Sequence, residues 1–401
     1  MSLNLSPSSE RLHIGFFGMR NAGKSSIVNA VTNQQLSVVS DIKGTTTDPV
    51  KKSMELLPIG PVVIIDTPGF DDEGMLGAKR ISKTKEILRK TDIAVLVIDA
   101  VVGFSDGDRE LVSAFEEKKI PYLTVYNKSD LLSSASPEDD NVIYVSARNN
   151  FNIERLKEKI ASLSKKNTAA KPIVDDIINK GDLVVLVTPI DESAPKGRLI
   201  LPQQITLRNI LDNGCAAVVC KETELEATLA RFSKNPELVI TDSQVFGFVS
   251  RILPKDVPLT SFSIVFARYK GDLVVLVKGA AALKKLKDGD KVLISEGCTH
   301  HRQCNDIGTV KMPGWIKKFT GKDITFGFTS GGEFPDNLSE YNLVVHCGGC
   351  MLNEKEMKSR INACIKAGVP IVNYGVAIAM MHGILKRSLE VFSDVSEILE
   401  K

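Results

Sequence analysis

The sequence lacks an excess of either charge, any long apolar run, and all but seven cysteines across 401 residues. With 51 Lys+Arg against 49 Asp+Glu, the net charge is +2, which argues against a nucleic-acid protein working through a strong basic field. No apolar stretch approaches the roughly 18–20 residues that span a bilayer, so no membrane partner is expected. Met1–Leu12 has neither a basic start nor an apolar segment, so no secretory signal is read there and a cytoplasmic location is expected. An odd, sparse cysteine count excludes a disulfide framework. What is present is ordinary globular composition, 43% hydrophobic and 25% charged, at a length suited to two or three domains.

The distribution of soft ligands is uneven. Cys298, Cys304, Cys347, Cys350 and Cys364 lie beyond residue 290, with His300, His301, His346 and His382. The N-terminal third has no cysteine. Metal chemistry is thus available to one end of the chain and not to the other.

Residues 12–165 alternate buried-strand runs (Leu12–Phe17, Val62–Asp66, Ile93–Asp99, Pro121–Asn127, Val142–Ser146) with helical spacing (Lys24–Thr32, Met75–Lys90, Asp108–Lys118, Ile153–Leu163). That alternation predicts a doubly wound, mostly parallel α/β sheet. Lys165–Pro172 breaks it as a linker. Two smaller α/β domains are expected to follow, giving 1–168 for nucleotide binding, 169–260 and 261–401, with the second boundary placed near Pro254–Pro258. Lys-Gly-Asp-Leu-Val-Val-Leu-Val occurs at Lys180–Val187 and again at Lys270–Val277. Both copies read as a turn running into a buried strand, with shared local demand as the explanation.

Gly18-Met-Arg-Asn-Ala-Gly-Lys-Ser25 matches a phosphate loop between a strand and a helix. Its residues Gly18, Asn21, Ala22, Gly23, Lys24, Ser25 and Ser26 are expected to cradle phosphates with inward N–H groups at a helix N-terminus. Lys24 would reach the β- and γ-phosphates, and Ser25 would ligate Mg²⁺. Asp66-Thr-Pro-Gly69 ends a strand, so Asp66 can hold the Mg²⁺ shell and the Gly69 N–H can sense the γ-phosphate. Asn127-Lys128-Ser-Asp130 supplies base selection: the Asp130 carboxylate accepts guanine's paired donors, which adenine lacks. Ser146-Ala147 completes the base loop, with the Ala147 N–H facing the guanine oxygen.

These residues resemble the translation-factor class of GTPases, especially its tRNA-modification and ribosome-assembly branch, over roughly residues 10–165. Gly44-Thr-Thr-Thr-Asp48 matches the branch's first switch, with Thr46 at the Mg²⁺-binding threonine and Thr47 in place of an arginine. Asn21 stands where potassium-activated members carry a K⁺-ligating asparagine, so K⁺ stimulation is implied. Phe70 replaces the glutamine that orients water in Ras-like enzymes, so hydrolysis is expected to be slow unless another group positions the nucleophile. Asp71, Asp72 and Glu73 are candidates for that task, against the plainer reading of a solvated acidic loop.

Cys298-Thr-His300 and His346-Cys-Gly-Gly-Cys350 form a second constellation. In a reducing compartment Cys-x-x-Cys points to metal or redox chemistry. Asn353 and Glu356 read as a capping pair opening a helix just beyond Cys350, and a helix N-terminus should lower the thiol pKa. Spacing leaves zinc with a Cys₃His set and a [4Fe–4S] cluster with one non-cysteine ligand both open. His300 and His346 are each either a direct ligand or a donor to the sulfurs. Cys364, Cys215, Cys220 and His382 read as core or surface positions, and Cys304 and His301 as loop residues.

A GTPase joined to this cysteine pattern resembles, over the whole chain, the [FeFe]-hydrogenase maturation GTPases. The interval between the two metal half-motifs is near the short end for that family. The resemblance implies a GTP/GDP-binding scaffold, a dimerising middle domain giving a homodimer, and a [4Fe–4S] cluster on Cys298, Cys347 and Cys350. It also implies a diiron H-cluster precursor held transiently for apo-[FeFe]-hydrogenase, with two radical-SAM maturases as further partners. The alternatives are a zinc-bearing GTPase acting as metallochaperone or RNA-modification partner, and a regulatory GTPase with structural cysteines.

Overall fold

The computed structural model describes residues 7–34, 50–70, 83–133, 139–165, 171–189, 199–297, 306–392 and 395. The chain divides into two compact units, Met1–Ala169 and Ala170–Lys401.

The first unit is a six-stranded sheet ordered β2-β3-β1-β4-β5-β6. Its strands are β1 Leu12–Phe17, β2 Val50–Leu56, β3 Gly60–Asp66, β4 Ile93–Asp99, β5 Tyr122–Asn127 and β6 Val142–Tyr144. Helices α1 Lys24–Thr32, α2 (83–90), α3 Asp106–Glu117 and α4 Ile153–Lys165 connect them. All pairings are parallel except β2 on β3. The central strands are apolar throughout because helices cover both faces, one core around Ile14, Val95 and Val125 and the other around Phe17, Ile65 and Leu96. Parallel strands deliver their carboxyl ends to one edge, so the loops after β1, β3, β5 and β6 meet there. β2 is absent from the sequence expectation: as an edge strand it keeps Lys51, Lys52 and Ser53 exposed and carries no apolar run.

The second unit holds two four-stranded parallel sheets. One, ordered β10-β9-β7-β8, comprises β7 Leu183–Val187, β8 Ala216–Cys220, β9 Leu238–Thr241 and β10 Leu259–Ser261. The other, ordered β12-β11-β13-β14, comprises β11 Lys291–Glu296, β12 Thr325–Ser330, β13 Leu343–His346 and β14 Ile371–Asn373. The first carries α5 Leu201–Asp212, α6 Leu225–Leu229 and α7 Phe246–Ile252. Helices α8 Phe262–Lys270 and α9 Leu273–Ala282 lead to the second, which carries α10 Met312–Thr320, α11 Glu354–Ala367, α12 Tyr374–Met381 and α13 Leu385–Leu389. A single apolar cluster runs from Val184, Leu186 and Ile240 through Phe266 and Leu276 to Leu293, Val345 and Val372. The two sheets therefore share a core, and the boundary expected at residue 260 falls inside β10.

The repeated octapeptide corrects the sequence reading. Its first copy is a turn and strand β7, but its second copy is the start of helix α9. Asp272 caps that helix, accepting from the Val275 N–H at 3.1 Å. The residues after each copy make the difference: Thr188-Pro189 stops regular structure after the first, whereas Ala280, Ala281 and Ala282 carry the second on in the strongest helix former. Gly279 then lets α9 lie against β14, since a Cβ there would sit 1.8 Å from the Ile371 carbonyl oxygen.

Candidate functional site

In the first unit, Gly18 turns the chain out of β1 with φ 141°, and a Cβ there would meet the Val97 carbonyl oxygen at 2.1 Å. The Lys24 ammonium is buried and donates to the carbonyls of Gly18 (3.0 Å) and Met19 (2.9 Å) inside the loop. Ser25 donates to Asp66 Oδ2 at 2.7 Å. Asp66 is 2% exposed, and its Oδ1 has no hydrogen-bond partner among the described residues. A buried carboxylate oxygen without a donor, beside a hydroxyl at a helix start, fits a hard divalent cation. Asn21 sits at φ 61° with its side chain exposed at the loop's outer turn.

Asn127 fastens the base loop to the phosphate loop: Nδ2 donates to the Ala22 carbonyl at 3.1 Å, and Oδ1 accepts from the Ala147 N–H at 3.2 Å. The Ala147 N–H, expected to face guanine, is thus turned to Asn127 instead. Lys128 is left-handed at φ 65° and pairs with Asp99 at 2.5 Å, which holds the Asp99 carboxyl below its ordinary value against the opposing pull of burial. Asp130 is exposed. Ser146 is buried and accepts from the Asn149 N–H at 3.2 Å. Ser26 lies in the first turn of α1, and a Cβ at Gly69 would meet Arg20 Cα at 2.9 Å. Phe70 lies in the core, bridged to Met19, so its ring is committed to packing. Thr46, the rest of the first switch, and Asp71, Asp72 and Glu73 fall outside the described residues.

The cysteine loop of the second unit follows β13, at the carboxyl edge of the second sheet. Cys347 Sγ accepts from the N–H of Gly297 at 3.0 Å and of Gly349 at 3.4 Å. The Gly297 contact brings the chain immediately before Cys298 against the Cys-x-x-Cys loop. Cys298, His300, His301 and Cys304 fall outside the described residues, and no cluster of three or more His, Cys, Asp or Glu forms among those described. Cys350 differs from the helix-terminus expectation: burial raises its thiol pKa, with the Lys270 charge pulling the other way. Desolvation outweighs the Lys270 charge and the backbone N–H groups of Cys350 and Met351 here.

His346 is buried completely. Its Nδ1 is 2.7 Å from the Cys347 carbonyl, so the proton resides there, and Nε2 accepts from Arg360 Nη1 at 3.1 Å. Burial, reinforced by the Arg360 charge, pushes its pKa down to about 3. The ring is neutral with both nitrogens engaged. Sequence reasoning missed Arg360, which is 1% exposed and also donates to Ser295 Oγ (3.4 Å), the Gly331 carbonyl (2.6 Å) and Glu356 (2.8 Å). One guanidinium thereby gathers the ends of β11, β12 and β13 under the cysteine loop. Glu356 at four residues' spacing was the available signal. Asn353 caps α11 as expected, accepting from the Glu356 N–H at 3.0 Å, and the Glu356 carboxylate also pairs with Arg360. Cys364, Cys215 and Cys220 are core residues.

Comparison with known proteins resolves the assignment. Residues 173–271 match the family described as "Hydrogen maturase F dimerization domain", and residues 274–391 match "Hydrogen maturase F tetramerization domain". The chain belongs to the hydrogen maturase F family. Ahead of the two family domains, residues 13–128 match "50S ribosome-binding GTPase". Curated relatives are similar to part of the chain: GTPase Der of Kosmotoga olearia is 28% identical over 50% of this chain and 49% of its own. The tRNA modification GTPase MnmE of Dechloromonas aromatica is 35% identical over 38% of this chain and 35% of its own. The chain thus spans about half the length, or less, of the curated relatives it matches. Among solved structures, a variant of Aquifex aeolicus Era bound to GDP.AlF4- aligns with 52% of this chain and 91% of its own, at 19% identity and TM-score 0.35. The family's two C-terminal domains correspond to the two sheets of the second unit.

Proposed function

We propose that the chain is a GTP-hydrolysing scaffold of [FeFe]-hydrogenase maturation. It would hold a [4Fe–4S] cluster on Cys298, Cys347 and Cys350, accept a diiron precursor and pass it to apo-hydrogenase. The two radical-SAM maturases are its further partners, and it works as a homo-oligomer in the cytoplasm. The observation that carries the reading is the Gly297 N–H on Cys347 Sγ, which draws the two cysteine stretches together. The donor set suits the group: two amides already point at one sulfur, as a thiolate ligand requires. Three thiolates retain such a cluster while an iron with an incomplete thiolate set leaves one position exchangeable. His346, with both nitrogens engaged, supports the loop, which leaves His300 as the histidine available for direct ligation.

In the nucleotide unit, Lys24 turns from its own loop to the β- and γ-phosphates, Ser25 and Thr46 ligate Mg²⁺, and Asp66 holds its hydration shell. The Gly69 N–H senses the γ-phosphate. Asp130 selects guanine, with Asn127, Lys128, Ser146 and Ala147 forming the base loop. With Phe70 in the core, turnover is slow, and K⁺ held through Asn21 supplies the missing charge. Rates in K⁺ should exceed those in Na⁺ several-fold for the wild type and not for Asn21→Ala; equal wild-type rates in both salts remove K⁺ from the account. Anaerobic reconstitution, with iron, sulfide and zinc analysis, separates the iron–sulfur scaffold from a zinc protein. Electron paramagnetic resonance of the wild type, His300→Ala and His346→Ala then identifies the remaining ligand.

A further inference from the structure

Lys270 ends α8, the last helix matched to the dimerization domain, and the residue is 2% exposed. It donates to the carbonyl oxygens of Leu352 at 3.0 Å and Cys350 at 3.3 Å. These carbonyls belong to the cysteine loop of the next family domain. A buried ammonium bound to backbone oxygens is costly to leave unpaired, so each end fixes the other. The neighbouring contacts lengthen the connection. Lys171, in the described end of the linker that follows the nucleotide unit, donates to the Gly271 carbonyl at 2.6 Å and pairs with Glu354 at 3.6 Å. Gly271 is the residue after Lys270, and Glu354 opens α11 directly behind the cysteine loop. The incoming linker thus grips both the base of the Lys270 anchor and the helix that the loop runs into.

We propose that Lys270 is a positioning residue that holds the Cys350 loop in register, and that Lys171 links this hold to the linker, so that nucleotide state alters the presentation of Cys350. The cluster assignment above gives the proposal its purpose, but the contacts exist without a metal and can be tested without one. A pull on Lys171 acts on Gly271 and Glu354 together, shifting the loop's two supports rather than any sulfur directly. On this proposal the nucleotide unit biases the loop through those two supports.

The test uses the full-length, metal-free protein, alkylated with iodoacetamide and mapped by peptide mass spectrometry. Each sample is run with GDP and with a non-hydrolysable GTP analogue. Core Cys364 serves as the internal reference for unfolding. Lys270→Met should speed Cys350 alkylation at least tenfold with Cys364 unchanged, and Lys270→Arg should restore most of the protection. Removing the Lys270 charge alone would slow alkylation by raising the thiol pKa, so acceleration reports loop opening. Wild-type Cys350 should react at rates differing at least threefold between the nucleotides, and Lys171→Gln should abolish that difference. Unchanged Cys350 protection in Lys270→Met, or a nucleotide-independent wild-type rate, overturns the proposal. If Lys270→Met exposes Cys364 as well, Lys171→Gln decides the matter, and a nucleotide difference that persists there overturns the proposal. Failure to take up iron in a separate reconstitution would defeat the cluster assignment and leave this result standing.

Discussion

The chain carries two candidate sites at the carboxyl edges of one mostly parallel and one wholly parallel sheet, yet it holds them by different means. In the first unit the working groups are contiguous: one loop after β1, one aspartate after β3, one tetrapeptide after β5. Asn127 is the principal tie between loops, and much of the binding surface is backbone. In the second unit the cysteine loop rests on side chains far away in sequence. Arg360 binds three strand ends beneath it, and Lys270 reaches it from the preceding family domain. A phosphate loop needs little beyond its own fold because a helix start already presents amides. On the proposed reading, a loop that presents sulfurs from separate stretches needs external supports, and buried charge provides them at the cost of desolvation.

The sharpest way to break this comparison is to remove the support. Arg360→Met breaks the buried ion pair with Glu356 and takes the donor from the Gly331 carbonyl. It should destabilise the second unit by about 3–5 kcal/mol, seen as an early denaturation step, while the nucleotide unit keeps its own midpoint and its GDP affinity. Loss of both units together would show that the sites are not held independently. In the first unit, Lys24→Ala should lower GTP hydrolysis by about 10²–10³-fold, with denaturation midpoints unchanged. Turnover within threefold of the wild type would remove the phosphate-loop assignment.

A smaller effect concerns Cys364, whose thiol pKa is pushed by burial from 9.0 up to about 12. Because the folded value is raised above the unfolded one, its contribution is fully present below pH 9 and is lost as pH climbs toward 12. The second unit's midpoint should therefore fall less steeply between about pH 9 and 11 in Cys364→Ala than in the wild type. Parallel slopes would mean that the thiol ionises in the folded protein as readily as in the unfolded chain.

The contrast also explains what could be read from the sequence. Gly18–Ser25, Asp66–Gly69 and Asn127–Asp130 are legible because each acts through neighbours along the chain, and apolar strands announce the sheet that carries them. Strand β2 escaped because an exposed edge needs no apolar pattern. The second copy of the octapeptide misled because a common string takes its structure from the residues after it and from the close fit of Gly279 on β14. The cysteine spacing is visible in the sequence, but nothing along the chain marks Arg360 or Lys270 as a support of the loop. Only the fold brings them beneath the loop, where burial turns solvated side chains into anchors. The shared core of the second unit was hidden for the same reason: periodicity reports which face is apolar, not what that face meets.

The central claim is that two cysteine stretches close on one iron–sulfur cluster. Its most direct test is anaerobic reconstitution with ferrous iron and sulfide, followed by metal analysis and electron paramagnetic resonance after reduction. The account predicts about four irons and four sulfides per chain, a reduced-cluster signal in the wild type, and its loss in Cys298→Ser and Cys347→Ser. A protein that binds zinc in a closed four-ligand shell and takes up no iron would contradict it.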